Sequence, residues 1–140
     1  MSVGFTGTKL GMTDAQHKAV LTLLGKLLGE HGELHHGDCE GADVEAAKIA
    51  NWMHYRIVCH PPIKTKYRGW FQYNTEARPA FEYKIRDQHI VDESDVLIAA
   101  PHGLEIKRSG TWTTVRYART LKRPIYIVKR DGSIETENVI

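Results

Sequence analysis

Cysteine is scarce in this chain, at 2 in 140 residues. Cys39 and Cys59 are too few for the disulfide framework of a small secreted domain. Charge of one sign is scarce too. Lys and Arg number 19 and Asp and Glu 17, a formal charge of +2. That balance argues against duplex DNA as a partner, because such binding draws its affinity from many phosphate contacts. Long apolar runs are absent: no stretch approaches the roughly 18 apolar residues of a membrane span. Met1–Thr6 has neither the basic nor the long apolar region of a secretory signal. These absences predict a cytoplasmic protein of a reducing compartment with no membrane partner.

What is present is an ordinary globular composition, 41% hydrophobic and 26% charged, which excludes a disordered chain. The length predicts one domain, residues 1–140, able to bury a core without metal or disulfide staples. Strand-like and helix-like patterns alternate. Ser2–Thr6 reads as a strand running into Gly7. Thr13-Asp14-Ala15-Gln16 forms a capping box, followed at helical spacing by Val20, Leu23, Leu24, Leu27 and Leu28. Glu33–His36 and Arg56–His60 read as strands flanking a helix over Asp43–Met53, whose end is expected to pack Trp52 and Tyr55. A third helix is expected over Glu82–Glu93 with Ile85, His89 and Ile90 inward. Asp95–Ala100 is the clearest buried strand. Gly110–Leu121 then reads as a helix and Pro124–Val128 as a strand, with a short edge strand possible in the tail. Such alternation predicts an α/β fold: a Rossmann-like parallel sheet of about five strands, order 3-2-1-4-5, with helices on both faces. In such sheets ligands bind beyond the carboxyl ends of the strands, where the order reverses.

The loops expected at that edge carry unusual residues. Gly4-Phe5-Thr6-Gly7-Thr8-Lys9 follows the first strand. Its small residues let backbone amides approach an anion, and Thr8 and Lys9 add donors. His35-His36-Gly37-Asp38-Cys39-Glu40-Gly41-Ala42-Asp43 follows the second. Gly37 and Gly41 permit a sharp turn there. Asp38 and Asp43 are placed to accept hydrogen bonds from ribose hydroxyls, or else to brace the loop and the start of the helix. Pro101 opens the third loop, which ends in Arg108-Ser109-Gly110-Thr111-Trp112. A helix N-terminus with two hydroxyls and a nearby guanidinium suits phosphate, although Ser109 or Thr111 can equally act as a simple N-cap. Trp112 is positioned to cover a base or sugar, or to pack between helices. His35, His36, Cys39, Cys59 and His60 are zinc-ligand types, but they lie on two loops without C-x-x-C spacing, so no metal site is predicted.

At these residues the sequence resembles the SLOG superfamily, which includes the LOG phosphoribohydrolases, DNA-processing protein A and the YpsA-like proteins. The matching segments are Gly4-Phe5-Thr6-Gly7-Thr8-Lys9, His36-Gly37-Asp38-Cys39-Glu40-Gly41-Ala42-Asp43 and Arg108-Ser109-Gly110-Thr111-Trp112, in order along nearly the whole chain. The resemblance implies a Rossmann-like fold, a pocket for nucleotides or nucleotide-derived molecules, and a homo-oligomer. It matches Gly110 and Thr111 to the Gly-Thr of the LOG phosphate loop. LOG enzymes carry Pro-Gly-Gly-x-Gly-Thr-x-x-Glu, whose Glu serves cleavage of an N-glycosidic bond. Here Trp112, Thr113, Thr114 and Val115 follow instead, without that carboxylate.

From Ile63 to Arg86 six basic residues face only Glu76 and Glu82, among six aromatics. Loops this long in small domains often close over ligands, and aromatic rings beside Lys and Arg suit a nucleotide. The alternative is that Trp70, Phe71 and Phe81 are core or subunit contacts. Arg86 is a candidate anion contact. The expectation is binding of a nucleotide or nucleotide-derived molecule with no separate cofactor, and the SLOG resemblance implies that it is a signalling molecule sensed or sequestered in bacterial or phage conflict systems. The phosphate falls to Gly7, Thr8, Lys9, Ser109, Gly110 and Thr111. The alternatives are a phosphoribohydrolase or N-glycosidase using Asp38 or Asp43, and a single-stranded nucleic-acid module.

Overall fold

The computed structural model describes residues 1–140. Local sequence accounts for most elements. Strand β1 (Ser2–Gly7) leads to helix α1 (Asp14–Leu27), which starts at a full capping box. The Thr13 hydroxyl accepts from the Gln16 amide at 3.1 Å, and the Gln16 side chain accepts from the Thr13 amide at 3.0 Å. Strand β2 (Glu33–His36), helix α2 (Ala42–Trp52) and strand β3 (Arg56–Cys59) follow. A long connection bears the two-residue strand β4 (Glu76–Ala77) before helix α3 (Tyr83–Asp92). Strand β5 (Val96–Ala100) is buried at every position, as an apolar run in the middle of a parallel sheet should be. Helix α4 (Gly110–Thr120) and strand β6 (Ile125–Val128) follow, and a turn at Asp131-Gly132 brings back β7 (Ile134–Glu137).

The sheet runs β4-β3-β2-β1-β5-β6-β7. Every pairing is parallel except β6–β7, which is an antiparallel hairpin. Its five inner strands have the predicted order, and one short strand is added at each edge. Helices α1 and α2 cover one face around Phe5, Leu24, Leu34 and Ile98. On the other face α3 and α4 pack Val91, Val115 and Ala118 over Leu97 and Ile125. Strand order reverses between β1 and β5, so the loops after these strands diverge and leave a crevice.

Two packing expectations differ from the structure. Trp52 does not pack at the end of α2; it is 73% exposed, and only Tyr55 closes that end, donating its hydroxyl to the Leu28 carbonyl. In α3 Ile85 is exposed while Arg86 is buried, because the guanidinium finds backbone carbonyls behind the helix. No helix is long and apolar enough to cross a membrane.

Candidate functional site

The three loops meet at Thr8. Its amide donates to the Ala100 carbonyl at the end of β5 (3.0 Å), and its carbonyl accepts from Ala42 at the start of α2 (3.0 Å). Its hydroxyl accepts from the Leu10 amide at 3.1 Å, closing the turn. Close approach demands glycine on both sides. A Cβ on Gly7 would lie 2.5 Å from that of Ala42. Gly41, at φ +86°, runs directly against the backbone of Thr8 and Lys9.

Beyond the strand ends lies a cavity of about 420 Å³. Gly7, Thr8 and Lys9 form one wall, and Arg108, Ser109, Gly110 and Thr111 the opposite one. Arg86 and Asp87 form part of the lining from α3, and Leu10, Cys39, Tyr67, Tyr83 and His102 complete it. The Ser109 side chain caps α4 by accepting from the Trp112 amide at 3.2 Å. The amides of Gly110 and Thr111, at the open end of that helix, have no acceptor in the protein, nor has that of Lys9. The Lys9 ammonium lies 3.9 Å from the centre of the Tyr67 ring. Neither Lys9 nor Arg108 is paired with a carboxylate. Three free amides and two unpaired cations thus border one hollow, a setting that favours an anion.

The second loop lies behind this surface. Asp38 is fully buried and accepts from Arg68 Nε and the Phe71 amide, both at 2.9 Å. The Gly69 amide donates to the Asp38 carbonyl, and the Glu40 amide to that of Tyr67. Asp38 therefore anchors the long aromatic connection and sets Tyr67 at the cavity. Asp43 is 5% exposed and accepts from the Gly37 and Cys39 amides, each at 3.2 Å. Burial raises its carboxyl to a pKa of about 7 despite the Arg86 guanidinium nearby. Gly37 lies under that guanidinium, donated to by Arg86 Nη1 through its carbonyl. Cys39 reaches the cavity, but burial pushes its thiol up to about 11, and that of Cys59 to about 12. Neither is a ready nucleophile.

Asp87 is the cavity carboxylate that sequence reading missed. Arg86 Nε donates to it at 2.6 Å, and Thr114 stands beside it. Burial raises its pKa, which the Arg86 charge partly offsets. Nothing in its spacing marks it, because only the rotation of α3 brings it to the hollow. Pro101 and Trp112 are placed elsewhere. They line a separate cavity of about 520 Å³ beside β6 and β7, where Trp112 packs in the second core. Loop 102–109 divides the two hollows, and the Arg130 guanidinium braces it against His102 at 2.8 Å.

No protein-family model matches the chain, and no curated protein matches it in sequence. Solved structures match it in fold. The structural-genomics target TM1055 superposes with a TM-score of 0.64 at 17% identity, covering 89% of this chain and 71% of that one. The molybdenum cofactor binding protein from the phototrophic bacterium Rippkaea orientalis gives 0.68 at 21% identity, covering 91% and 76%. At such identities the likeness establishes a shared α/β fold.

Proposed function

We propose that this chain is a small SLOG-type protein that binds a nucleotide or nucleotide-derived molecule, with its phosphate held between Lys9 and Thr111. One observation carries the reading: the free amides of Lys9, Gly110 and Thr111 and the unpaired Lys9 and Arg108 cations face one cavity at the point where strand order reverses. Phosphate oxygens accept from these amides and from the Ser109 and Thr111 hydroxyls. Tyr67 and Tyr83 offer ring faces to a sugar or base. A structural neighbour named as a cofactor-binding protein supports a small-molecule role. The ligand is sensed or sequestered in the cytoplasm, by a homo-oligomer. Mass spectrometry of small molecules released from purified protein, followed by calorimetry with nucleoside monophosphates and ADP-ribose, tests this. Lys9→Ala should weaken binding about tenfold or more, as loss of a charge-assisted contact does. Absence of any bound nucleotide, together with no heat at millimolar ligand, refutes it.

A second reading is hydrolysis of an N-glycosidic bond, and Asp87 is the observation that favours it. Asp38 and Asp43 are committed to backbone and arginine partners. Thr114 stands where the LOG motif has its Glu, and Asp87 places a carboxylate beside it from a different helix. In that reaction the C1′–N bond breaks with its electron pair leaving on the base. Water adds its oxygen to C1′, and its proton is passed to the base through the carboxylate. Release of free base over many turnovers, lost in Asp87→Asn, establishes this reading; recovery of intact ligand from stoichiometric complexes rejects it.

A further inference from the structure

On the face of the sheet covered by α3, separated from the cleft by the Arg86 side chain, two buried imidazoles meet. His35 pairs in register with Gly4, whose α-carbon faces Ile90 and Ser94 of the α3 end, so the His35 ring points to the same side. His35 Nδ1 lies 2.9 Å from Nε2 of His60, which follows β3. The rings are 1% and 2% exposed. Glu93, at the end of α3, brings Oε2 to 3.8 Å from His60 Nδ1, the ring nitrogen turned away from His35, so its carboxylate must swing toward Nε2 to share an ion with the two imidazoles. One ligand atom from each of His35, His60 and Glu93 lies within 4.8 Å of the other two.

The surroundings prepare these atoms to donate. Glu33 Oε1 lies 2.9 Å from His35 Nε2 and takes its proton as a hydrogen bond. That fixes the tautomer and leaves a lone pair on Nδ1, the arrangement by which a carboxylate orients a metal-bound histidine. Arg78 engages Glu93 through Oε1 at 2.9 Å and leaves Oε2 free. The charge of Arg78 is shared with Glu76. Without a metal, one proton bridges the two facing imidazole nitrogens, at the place a cation would take. Zinc–nitrogen bonds of about 2.0–2.1 Å at a tetrahedral angle put two nitrogens roughly 3.3 Å apart. The 2.9 Å separation needs only a few tenths of an ångström of ring rotation to reach it. Two imidazoles with one carboxylate suit a borderline ion such as zinc, whereas magnesium and calcium prefer all-oxygen sets.

We propose that His35, His60 and Glu93 bind a zinc-type divalent cation, with water as fourth ligand, tying β2, the end of β3 and the end of α3 together. No residue of this site lines the nucleotide cleft, so the two readings stand or fall separately. The test is titration of zinc into chelator-treated full-length protein by calorimetry, with cobalt absorption reporting tetrahedral geometry and a thermal melt reporting stabilisation. One equivalent should bind and raise Tm, while magnesium does neither. Glu93→Gln alters a half-exposed side chain and should weaken zinc binding about tenfold or more, and Glu33→Gln roughly 10–100-fold. His60→Asn should abolish the cobalt spectrum. No zinc binding at 100-fold excess over protein overturns the proposal. So does binding that survives unchanged in folded Glu93→Gln and Glu33→Gln, since the ion would then sit on other histidines.

Discussion

Replacing Gly41 by Ala tests how the cleft is built. Gly41 has φ +86° and ψ −126°, a region nearly reserved for glycine, and forcing alanine there costs about 1–3 kcal/mol. The new Cβ would also overlap the Lys9 carbonyl and come 2.7 Å from the Thr8 oxygen. These are backbone atoms and cannot swing away. Relief requires the Thr8-Lys9 turn to move, which breaks the 3.0 Å bond from the Ala42 amide to the Thr8 carbonyl, worth about 1 kcal/mol. Together the loss is about 2–4 kcal/mol, or a fall in Tm of roughly 6–15 °C for a domain of this size. Gly103→Ala is the control, because nothing lies within 4 Å of its Cβ position, and it should melt like the parent. Urea unfolding and calorimetric melts give the stability, and phosphate titration followed by NMR gives the position of the turn. A Gly41→Ala protein that melts within about 2 °C of the parent and binds phosphate equally well would refute this account of the loop junction.

Three further outcomes are expected. The Asp43 carboxyl has its folded pKa raised to about 7 by burial, above an unfolded value of about 3.9, so the stability it contributes is fully present below pH 4 and lost as pH rises through 7. Urea midpoints at pH 5 and pH 8 should differ less in Asp43→Asn than in the parent. Thr13→Ala removes the α1 cap and the hydroxyl bond to the Arg130 carbonyl, and should cost about 1–2 kcal/mol in denaturant titrations. Leu34→Ala empties a fully buried site between α2 and the sheet and should cost about 2–5 kcal/mol, with spectra otherwise native.

Much of the fold was legible because its signals are local. The apolar run of β5, the capping box at Thr13 and the Pro and Gly breaks each act within a few residues. Loop composition also marked the walls of the cleft, since small residues and a helix start are what close backbone approach requires. Side-chain direction was less legible. Successive helical residues point about 100° apart, so Thr111 faces the cleft while Trp112 turns to β6. For Asp38 the sequence leaves ribose contact and loop bracing open; bracing is what the structure shows, through Arg68 and Phe71 some thirty residues on. Asp87 was hidden for a similar reason: α3 has little apolar periodicity to fix which side it shows. His35 and His60 become neighbours only through the β2–β3 pairing.

The hairpin that ends the sheet also restricts how copies of this protein can meet. Strand β7 occupies the hydrogen-bonding groups of β6 and presents Glu135 and Glu137 along a mostly exposed ribbon. At the opposite margin β4 offers only two residues, flanked by the ion pairs of Glu76 with Arg56 and Arg78. Acidic side chains along one margin and the brevity of the other discourage main-chain zippering into a continuous intermolecular ribbon. Apolar side chains open to solvent lie instead on the helical layers, at Leu21 and Trp52.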